Sequence, residues 1–365
     1  MRVLHVETGR HLYGGALQVR YLMEGLARRG VANVLVCPEG AAIAEGVGTM
    51  CEGVWSLPMG GDLDLKFVHR LVRVIRQVRP DVVHLHSRRG ADVLGGLAGR
   101  WAGVPAVVSR RVDNPEPAPW ARLKYRLFHR VITISEAIRQ VLIHEGVPPQ
   151  RVVCVHSAVD TERYRPVCDR AWFQDAFGLE EYEKTVGVVA QLIPRKGHRH
   201  LLAAIPGIIE AEPRARFLFF GQGPLETELR ARIEEEGLAG HVALMGFRDD
   251  LERVLPCLDL LVHPAEMEGL GVSLLQAAAC GVPLVGARAG GVPEIIGADA
   301  GVLVPPGDPP ALGRAVVDLL KDPDRRARLG AAGRRRVQAR FSIDAMVEGN
   351  LRVYEEVTGK TPPQG

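Results

Sequence analysis

The sequence predicts an α/β protein made of two doubly wound domains that face each other across a cleft. The chain has 365 residues, which is enough for roughly two domains of about 150 residues each. β-Branched runs recur in both halves at a spacing that leaves room for a helix between them, and several end in Gly, Ser or His without a hairpin turn. Nearly continuous apolar strands that alternate with amphipathic helices are typical of parallel sheets covered on both faces.

The predicted strands are spread evenly along the chain. Those of the first half are Val3–Glu7, Val34–Cys37, Asp81–His86, Ala106–Ser109, Val131–Ser135 and Val152–His156. Those of the second half are Thr185–Ala190, Arg216–Phe220, His241–Met245, Leu258–His263, Pro283–Gly286 and Gly301–Val304. The alternation of strand and helix patterns is interrupted in Asp160–Glu183, which predicts that the linker between the domains lies there. We therefore assign residues 1–165 to the first domain and residues 166–341 to the second.

Composition excludes several classes of protein. Apolar residues make up 47% of the chain and charged residues 24%, as in ordinary globular proteins, which argues against disorder and coiled coil. No apolar run reaches about eighteen residues, so we expect no membrane span. Glu7 interrupts the apolar segment that a signal peptide needs, which predicts a cytoplasmic protein.

Charge is distributed unevenly between the two halves. Residues 1–165 carry a net charge of +8, and the rest of the chain carries −5. Such asymmetry favours an anionic ligand or a membrane surface as a partner of the first half, with random variation as the alternative. The basic residues do not interleave with an aromatic platform, so we expect no nucleic-acid binding.

The cysteines show no metal or redox motif. No two form a C-x-x-C pair, and no histidine spacing suits a zinc site. The sequence therefore predicts six reduced thiols, at Cys37, Cys51, Cys154, Cys168, Cys257 and Cys280.

Two glycine-rich turns lie where parallel strands are predicted to end. Gly14-Gly15 follows the first strand and opens a helix, so its backbone N–H groups can approach a phosphate; a tight turn is the alternative. In the second half, a buried strand leads to Glu268, a helix begins near Gly271, and Gln276 lies one turn further on. A carboxylate, free backbone donors and a polar side chain around one pocket suit a diphosphate linked to a polyol.

The stretch from His263 to Pro283 resembles the signature of the retaining group 1 glycosyltransferases, which have two Rossmann-like domains in the GT-B arrangement. Their pattern is a Glu-Gly-Phe-Gly turn with a second Glu eight positions after the first. The resemblance covers nearly the whole chain. Its other parts are Gly14-Gly15, Ser135-Glu136, Ser157–Asp160, Tyr164–Pro166, Pro194–His198, Gly221–Pro224, Gly246–Asp250, Gly290–Glu294 and Arg340–Ser342.

The resemblance implies a nucleotide diphosphate sugar as co-substrate, with no cofactor and no metal. Lys196 would contact the diphosphate, Glu268 would accept hydrogen bonds from the sugar, and Arg195 would add positive charge. The implied donor-binding residues are Gly14, Gly15, Gln191, Gly221, Phe247, Gly269, Leu270, Gly271, Val272, Ser273 and Gln276. The family's last helix packs on the first domain, so residues from about 342 to 365 are predicted to join it.

Two glutamines depart from the family pattern. Gln276 stands where the family has its second Glu, and an amide accepts fewer hydrogen bonds from a ribose diol than a carboxylate. Gln191 stands where the family usually has an Arg that binds the diphosphate. Arg195 is one candidate for the missing cation, and a solvent-facing Arg195 is the alternative.

The acceptor site is predicted from two Ser-Arg-Arg turns at strand ends. Four guanidinium groups and one histidine would line the rim of the cleft and bind an anionic or lipid-linked glycan. These residues are His86, Arg88, Arg89, Arg110 and Arg111. A lipopolysaccharide-core or other envelope lipid is the favoured acceptor, and clustering by chance is the alternative.

The pattern of the segment Pro119–Arg130 predicts a basic, aromatic, amphipathic helix. Such a helix can lie on an anionic membrane surface or can bury Leu123, Leu127 and Phe128 in the core. Two other functions remain open: a catalytically degenerate sugar-nucleotide-binding protein, which the two glutamines would suit, and a nucleotide-sugar 2-epimerase.

Overall fold

The computed structural model describes residues 1–11, 14–86 and 91–361. The chain forms two compact units. The first comprises Met1–Ala158 together with the chain from Ile343 onward, and the second comprises Val159–Ser342. The segment 159–165, assigned to the first domain from the sequence, thus lies with the second unit, because Val159 bridges Ser342 and Arg334 donates to the Tyr164 carbonyl.

The first unit is built on a parallel sheet of seven described strands in the order β3-β2-β1-β4-β5-β6-β7. The strands are β1 Arg2–Val6, β2 Ala32–Cys37, β3 Gly53–Ser56, β4 Val82–Leu85, β5 Ala106–Arg110, β6 Arg130–Thr133 and β7 Val152–Cys154. The helices before the linker are α1 Gly14–Ala27, α2 Ala42–Glu45, α3 Leu65–Val78, α4 Asp92–Ala102, α5 Ala118–Tyr125 and α6 Glu136–His144. Strands β1, β4 and β5 are almost wholly buried, which is why they show continuous apolar runs.

The second unit has a parallel sheet of six described strands in the order β10-β9-β8-β11-β12-β13. The strands are β8 Lys184–Val189, β9 Ala215–Phe220, β10 Val242–Gly246, β11 Leu260–His263, β12 Leu284–Ala287 and β13 Gly301–Val304. The helices are α7 Arg170–Phe177, α8 His198–Ala211, α9 Glu226–Glu235, α10 Leu251–Val254, α11 Val272–Ala279, α12 Val292–Ile296, α13 Pro309–Lys321 and α14 Pro323–Arg340. Side-chain caps fix where several of these helices begin. The Asp169 carboxylate, for example, accepts a hydrogen bond from Trp172 N at the start of α7.

The final helix, α15 (Ile343–Thr358), belongs to the first unit. It buries Val347 and Tyr354 in the same core as Val3 and Leu22. Gly25 of α1 allows this close packing, since a Cβ there would lie 2.3 Å from a Val347 methyl group. None of the described helices combines the length and hydrophobicity that a membrane span needs.

The strand orders place a switch point in each sheet. In the first unit the chain winds outward in both directions from the β1/β4 pair, and in the second from the β8/β11 pair. Loops that leave adjacent strands at such a point diverge to opposite faces and open a crevice at the carboxyl edge. Residues that follow β1, β4, β8 and β11 are therefore best placed to bind ligands.

The prediction of six reduced thiols is wrong for two of them. Cys168 and Cys257 form a disulfide within the second unit, with Cα atoms 5.0 Å apart. A sequence separation of 89 residues hid this proximity. The other four cysteines form no disulfide.

Candidate active site

The loops after β8 and β11 bring an acid, a lysine and a histidine together. Lys196 Nζ lies 2.5 Å from Glu268 Oε2, and His263 Nε2 lies 2.7 Å from the same oxygen. The Lys196 and Glu268 side chains are only 12% and 11% exposed. His263 ends β11 and is buried, so the strand itself fixes the ring against the carboxylate. The local sequence pattern does not indicate His263 as a partner of Glu268.

Glu268 is held in its charged form. Burial alone would raise the pKa of this carboxyl, but the His263 hydrogen bond and the nearby charges of His263 and Lys196 outweigh burial and hold the pKa far below its usual range. A permanently ionised carboxylate accepts hydrogen bonds from hydroxyl groups and cannot donate a proton near neutral pH. The group is therefore suited to orienting a polyol.

Close backbone packing fixes the two loops. At Gly290, a Cβ would lie 1.7 Å from the Glu268 carbonyl oxygen, and at Gly197 a Cβ would lie 2.0 Å from the Pro264 carbonyl oxygen. Both glycines also have positive φ, at +48° and +71°. The Arg195 carbonyl accepts a hydrogen bond from Glu266 N at 2.9 Å, which ties the lysine loop to the acid loop. This rigidity preorganises Lys196 and Glu268.

The glycine-rich turn after Glu268 leads into the amino end of α11. Gly271 has φ +100° and immediately precedes Val272, the first helical residue. The first N–H groups of a helix lack partners within the helix and carry partial positive charge. Leu270 is buried, whereas Val272 and Ser273 are partly exposed at this end. The turn Gly269–Ser273 thus offers backbone donors beside the Glu268 carboxylate.

Gln276 is held by Tyr164, a residue that lies far from it in the sequence. Its Nε2 donates to the Tyr164 hydroxyl at 2.8 Å. Tyr164 is buried and comes from the segment just after the boundary between the units. With the NH₂ group engaged, the amide oxygen is the part of Gln276 that can accept a hydrogen bond from a ligand.

Changing Gln276 to Glu should tighten the binding of a nucleoside diphosphate. A carboxylate accepts from both hydroxyls of a ribose diol, and hydrogen bonds to charged groups contribute about 1.5–3 kcal/mol against about 1 for neutral ones. We expect Gln276→Glu to lower the Kd about tenfold, measured by calorimetry. A 2′,3′-dideoxy nucleoside diphosphate serves as the control, since it should show no gain. Equal gains with both nucleotides would contradict the assignment.

The remaining donor-site candidates lie along the same edge of the second sheet. Gly221 has φ +144°, and a Cβ there would lie 1.9 Å from the Ala190 carbonyl oxygen. Gly221 N donates to Gly246 O at 2.7 Å, which places Gly221 beside the loop that carries Phe247. Phe247 is 59% exposed, and Gln191 is also exposed. These residues surround the carboxyl ends of β8, β9 and β10.

In the first unit the predicted acceptor-binding residues lie in different environments. Arg88 and Arg89 lie outside the described residues. Arg110 is only 4% exposed, with Nη1 3.1 Å from Glu116 Oε1 and Nη2 bonded to the Asn114 carbonyl. Its charge is neutralised inside the unit. Arg110 therefore does not contribute to the predicted rim of four guanidinium groups. The isolated sequence gave no sign of the Glu116 pairing.

Arg111 and the Gly14-Gly15 turn lie together. Gly14 and Gly15 are exposed at the start of α1, and a Cβ at Gly15 would lie 3.8 Å from Arg111 Cδ. Arg111 is partly exposed, although its Nε is buried. The side chain therefore lies against the helix start that follows β1.

His86 belongs to a buried histidine cluster with His5 and His84. His5 Nδ1 lies 2.9 Å from His86 Nε2, and His84 Nδ1 lies 2.5 Å from the Tyr354 hydroxyl of α15. All three histidines are at most 2% exposed. Burial lowers their pKa values, to about 4 for His5, so all three are neutral near pH 7.

These buried histidines predict acid lability. Burial also lowers the pKa of His198 to about 4, and neither ring nitrogen of His198 has a partner among the described residues. The folded-state pKa lies below the unfolded value of 6.5, so the unfolded chain binds more protons between pH 6.5 and 4. The free energy of unfolding should therefore fall as pH drops through this window, by about 3 kcal/mol each for His5 and His198.

Urea unfolding at several pH values tests this expectation. His198→Phe should flatten the acid slope without losing a hydrogen bond to the protein. The exposed His69 provides the control, and His69→Asn should leave the slope unchanged. An identical slope in His198→Phe and the wild type would contradict this account.

Comparison with known proteins identifies the family. Residues 169–336 match the family model described as glycosyl transferases group 1, and residues 13–163 match that of glycosyltransferase family 4. A GDP-mannose-dependent monoacylated alpha-(1-6)-phosphatidylinositol monomannoside mannosyltransferase of Corynebacterium glutamicum is 34% identical over 299 residues, covering 77% of each chain. The chain belongs to the group 1 glycosyltransferases. A second relative of this glycosyltransferase, the N-acetyl-alpha-D-glucosaminyl L-malate synthase of Bacillus anthracis, is 29% identical and covers 80% of this chain and 79% of its own.

Solved structures agree with the fold of this glycosyltransferase. A glycosyltransferase from Rickettsia africae superposes with a TM-score of 0.88 at 16% identity, covering 99% of each chain. Anabaena HepE in complex with UDP superposes with a TM-score of 0.85 at 20% identity, covering 99% of this chain and all of the other. The predicted fold of two parallel α/β domains of the GT-B class is thus confirmed.

Proposed function

We propose that this glycosyltransferase moves a sugar from a nucleotide diphosphate sugar to an acceptor hydroxyl with retention of configuration and without a metal ion. The observation that carries the proposal is the group formed by Lys196, Glu268 and the amino end of α11 at the β8/β11 switch point. It combines a cation, a fixed carboxylate and backbone donors, which are the groups that a sugar diphosphate requires.

In the proposed reaction, the bond between the sugar C1 and the phosphate oxygen breaks, and the acceptor oxygen bonds to C1 on the same face. The acceptor proton passes to the departing phosphate oxygen, so no protein nucleophile is needed. Lys196 stabilises the negative charge that develops on the diphosphate. An ammonium group has three N–H donors, so Lys196 can keep its bond to Glu268 while it contacts phosphate. Arg195 on the same loop is the proposed second cation.

Glu268 is proposed to bind the sugar. Its pKa is far below the usual range, so it stays a hydrogen-bond acceptor throughout the reaction. The Gly269–Ser273 backbone is proposed to hold the sugar and the phosphate, and Gln276 to accept a hydrogen bond from the ribose. Phe247 and Gly221 are proposed to lie beside the nucleobase. Gly14 and Gly15 are proposed to approach the diphosphate.

The acceptor is proposed to be a lipid-linked glycan or glycolipid of the cell envelope. The Corynebacterium relative acts on a phosphatidylinositol monomannoside, as its name states. A relative from Escherichia coli, 26% identical over 61% of each chain, is named for transfer to GlcNAc-diphosphoundecaprenol. Both acceptors are lipids that remain at a membrane, so the enzyme needs access to a membrane surface.

Helices α4 and α5 supply the proposed membrane contact. Four large apolar side chains on these helices are 40–60% exposed: Leu97, Trp101, Trp120 and Leu123. Arg100 links the two helices through the Arg126 carbonyl, and both arginines are exposed. Exposed aromatic and apolar side chains next to arginines are typical of surfaces that bind anionic lipid.

The double change Trp120→Ser and Leu123→Ser should lower binding to vesicles of phosphatidylglycerol and phosphatidylcholine by at least about tenfold, because each side chain loses apolar burial in the interface. Co-sedimentation measures this. Leu63→Ser is the matched control, since Leu63 is 92% exposed on another part of the same unit. Unchanged sedimentation of the double variant, or an equal loss in the control, would exclude this surface.

The transfer itself is tested with UDP-, GDP-, ADP- and CMP-sugars and a phosphatidylinositol or undecaprenyl-diphosphate glycan as acceptor. We expect product from one donor class, an anomeric proton coupling that matches the donor's configuration, and an unchanged rate in EDTA. An inverted product would contradict retention. Donor binding without turnover would favour the degenerate binding protein, and change at the sugar C2 without an acceptor would favour the epimerase.

A further inference from the structure

A cavity of about 640 Å³ lies at the amino edge of the first sheet, the edge opposite to the residues that follow β1 and β4. Pro105, His129 and Arg151 border it, and they directly precede the neighbouring strands β5, β6 and β7. Arg100 and Glu356 border it from the last turns of α4 and α15. Its volume lies within the range of about 300–1,000 Å³ that is usual for ligand sites.

The charged residues around this cavity are mostly basic. Four arginines and one glutamate border it, and the glutamate, Glu356, is already paired with Arg130, whose Nε lies 3.1 Å from Glu356 Oε2. The other three arginines, Arg100, Arg126 and Arg151, form no ion pair within the part of the chain that the structure describes. These three residues, which we call the arginine cluster, therefore bring three uncompensated positive charges to one cavity.

Backbone carbonyl groups place these guanidinium groups against one short segment. Arg100 Nη1 donates to the Arg126 carbonyl oxygen at 3.4 Å, and Arg151 Nη1 donates to the Phe128 carbonyl oxygen at 3.4 Å. Residues 126 and 128 are two positions apart, so their Cα atoms are separated by at most about 8 Å. Each guanidinium has five N–H donors, so Arg100 and Arg151 each keep four beside the segment that carries Arg126.

The helix ends at the cavity do not cancel this charge. The carboxyl end of a helix carries a partial charge of about −0.5, which is small beside three guanidinium groups. At the end of α4, two of the carbonyl groups are also capped, since Gly103 N donates to the Arg100 carbonyl and Val104 N donates to the Gly99 carbonyl, at 3.2 and 3.0 Å. The cavity therefore favours an anion.

The apolar surroundings indicate what else the ligand carries. Leu97, Arg100 and Trp101 lie three and four positions apart on one face of α4, and Leu123 lies three positions before Arg126 at the end of α5. Leu97, Trp101 and Leu123 are 40%, 53% and 60% exposed. A soluble phosphate would engage the arginines and leave these side chains in water. A molecule that joins a phosphate to apolar chains covers both.

We propose that the arginine cluster binds the phosphate of an anionic phospholipid head group, with the acyl chains lying along Leu97, Trp101 and Leu123. Guanidinium groups suit this ligand because they bind phosphate oxygens in pairs. The choice of a lipid over a soluble phosphate rests on the membrane contact of α4 and α5 in the proposed function. The head-group site itself is separate from the site of sugar transfer, because it lies at the amino edge of the first sheet.

A short-chain lipid below its critical micelle concentration tests the site without a membrane. We expect the full-length protein to bind dihexanoyl phosphatidylglycerol saturably in calorimetry, at least about tenfold more tightly than dihexanoyl phosphatidylcholine, whose ammonium group repels the arginines. Inorganic phosphate should bind more weakly than either lipid, since it leaves the apolar side chains uncovered. Equal binding of the two lipids would overturn the recognition of an anion. Tighter binding of inorganic phosphate would overturn the assignment to a lipid.

Two variants of the arginine cluster test which residues bind. The double change Arg126→Gln and Arg151→Gln should weaken phosphatidylglycerol binding at least about tenfold, because charged hydrogen bonds to the phosphate are lost. Arg126→Gln alone should weaken it about threefold, and this variant should fold normally because Arg126 is exposed and its side chain has no partner among the described residues.

The matched control removes the same charge elsewhere on the first unit. Arg28 follows α1 and Lys66 lies in the first turn of α3; both are exposed, and neither borders the cavity. The double change Arg28→Gln and Lys66→Gln should leave phosphatidylglycerol binding unchanged. An equal loss in this control would show attraction to the overall charge of the unit and would refute a head-group site, as would unchanged binding in the variants of the arginine cluster.

The same samples separate this inference from the proposed function. A nucleoside diphosphate should bind equally to the wild type and to the arginine variants, since its proposed contacts with Lys196 and Gln276 lie in the second unit. If phosphatidylglycerol binds through the arginine cluster but no sugar transfer is found with any donor, the head-group site stands and the proposed function fails. If transfer occurs and lipid binding does not depend on the arginine cluster, the head-group site fails alone.

Discussion

Replacing Lys196 with methionine is expected to lower kcat about 100- to 1,000-fold while the protein stays folded. Methionine keeps the length of the side chain and removes the charge that is proposed to stabilise the departing diphosphate. The loss of one preorganised donor to a developing negative charge costs about 10²–10³ in rate. The Glu268 carboxylate keeps its bond to His263 at 2.7 Å, so it does not become an unpartnered buried charge. Steady-state kinetics with saturating donor measures the effect.

Lys184→Met is the matched control for this variant. Lys184 begins β8, the strand whose carboxyl end leads to Lys196, and its Nζ pairs with Glu212 at 2.8 Å. It lies at the opposite end of the strand from the site, so we expect a kcat within about twofold of the wild type. A Lys196→Met enzyme with nearly normal kcat would show that the lysine does not assist the leaving group.

Replacing Glu268 with glutamine is expected to lower kcat/KM by about 100-fold. Two hydrogen bonds from sugar hydroxyls to a carboxylate contribute about 1.5–3 kcal/mol each, and an amide presents one oxygen and an NH₂ group that meets these donors badly. The change also leaves the Lys196 ammonium without its counter-charge in a site that is largely shielded from water. Both effects act on the complex with the donor sugar.

Glu266→Gln is the control within the same loop. The Glu266 carboxylate pairs with Arg199 and His200, and it lies two residues before Glu268. We expect this variant to retain nearly full activity, because the Glu266 carboxylate is bound by Arg199 and His200 of α8. Equal losses in the two variants would mean that the loop is merely destabilised, and the role assigned to Glu268 would be withdrawn.

Most of the fold could be predicted because its strands are buried on both faces. Each of the six strands expected in the second half is present, and so are the six expected in the first. The strand that was missed is β3, Gly53–Ser56, an edge strand whose residues alternate between partly buried and exposed. A short, half-exposed strand that contains glycine has neither the continuous apolar run nor the length that reveals β1 or β8.

The site could be predicted only where chemistry is local in sequence. Glu268, the glycine turn and Gln276 lie within one stretch of chain, so their spacing predicted that they would lie close together, and their roles in donor binding stay predictions. Tyr164 reaches Gln276 from 112 residues away, and Tyr354 reaches His84 across 270 residues, so no local pattern reveals either contact. Arg110 was predicted to bind an acceptor, but its ion pair with Glu116 neutralises its charge. This pairing could not be read from the sequence either.

The central claim is that the second unit holds a nucleotide diphosphate sugar through Lys196 and Glu268. Thermal unfolding of the wild type and of Glu268→Ala, with UDP-, GDP-, ADP- and CMP-sugars and the matching free nucleotides, tests it most directly. One donor at 100 times its Kd should stabilise the wild type by about 2.7 kcal/mol. The variant should respond less to that sugar nucleotide but equally to the free nucleotide, because Glu268 is proposed to contact only the sugar. The claim is contradicted if no donor stabilises the wild type, or if the variant responds to the sugar nucleotide as strongly as the wild type does.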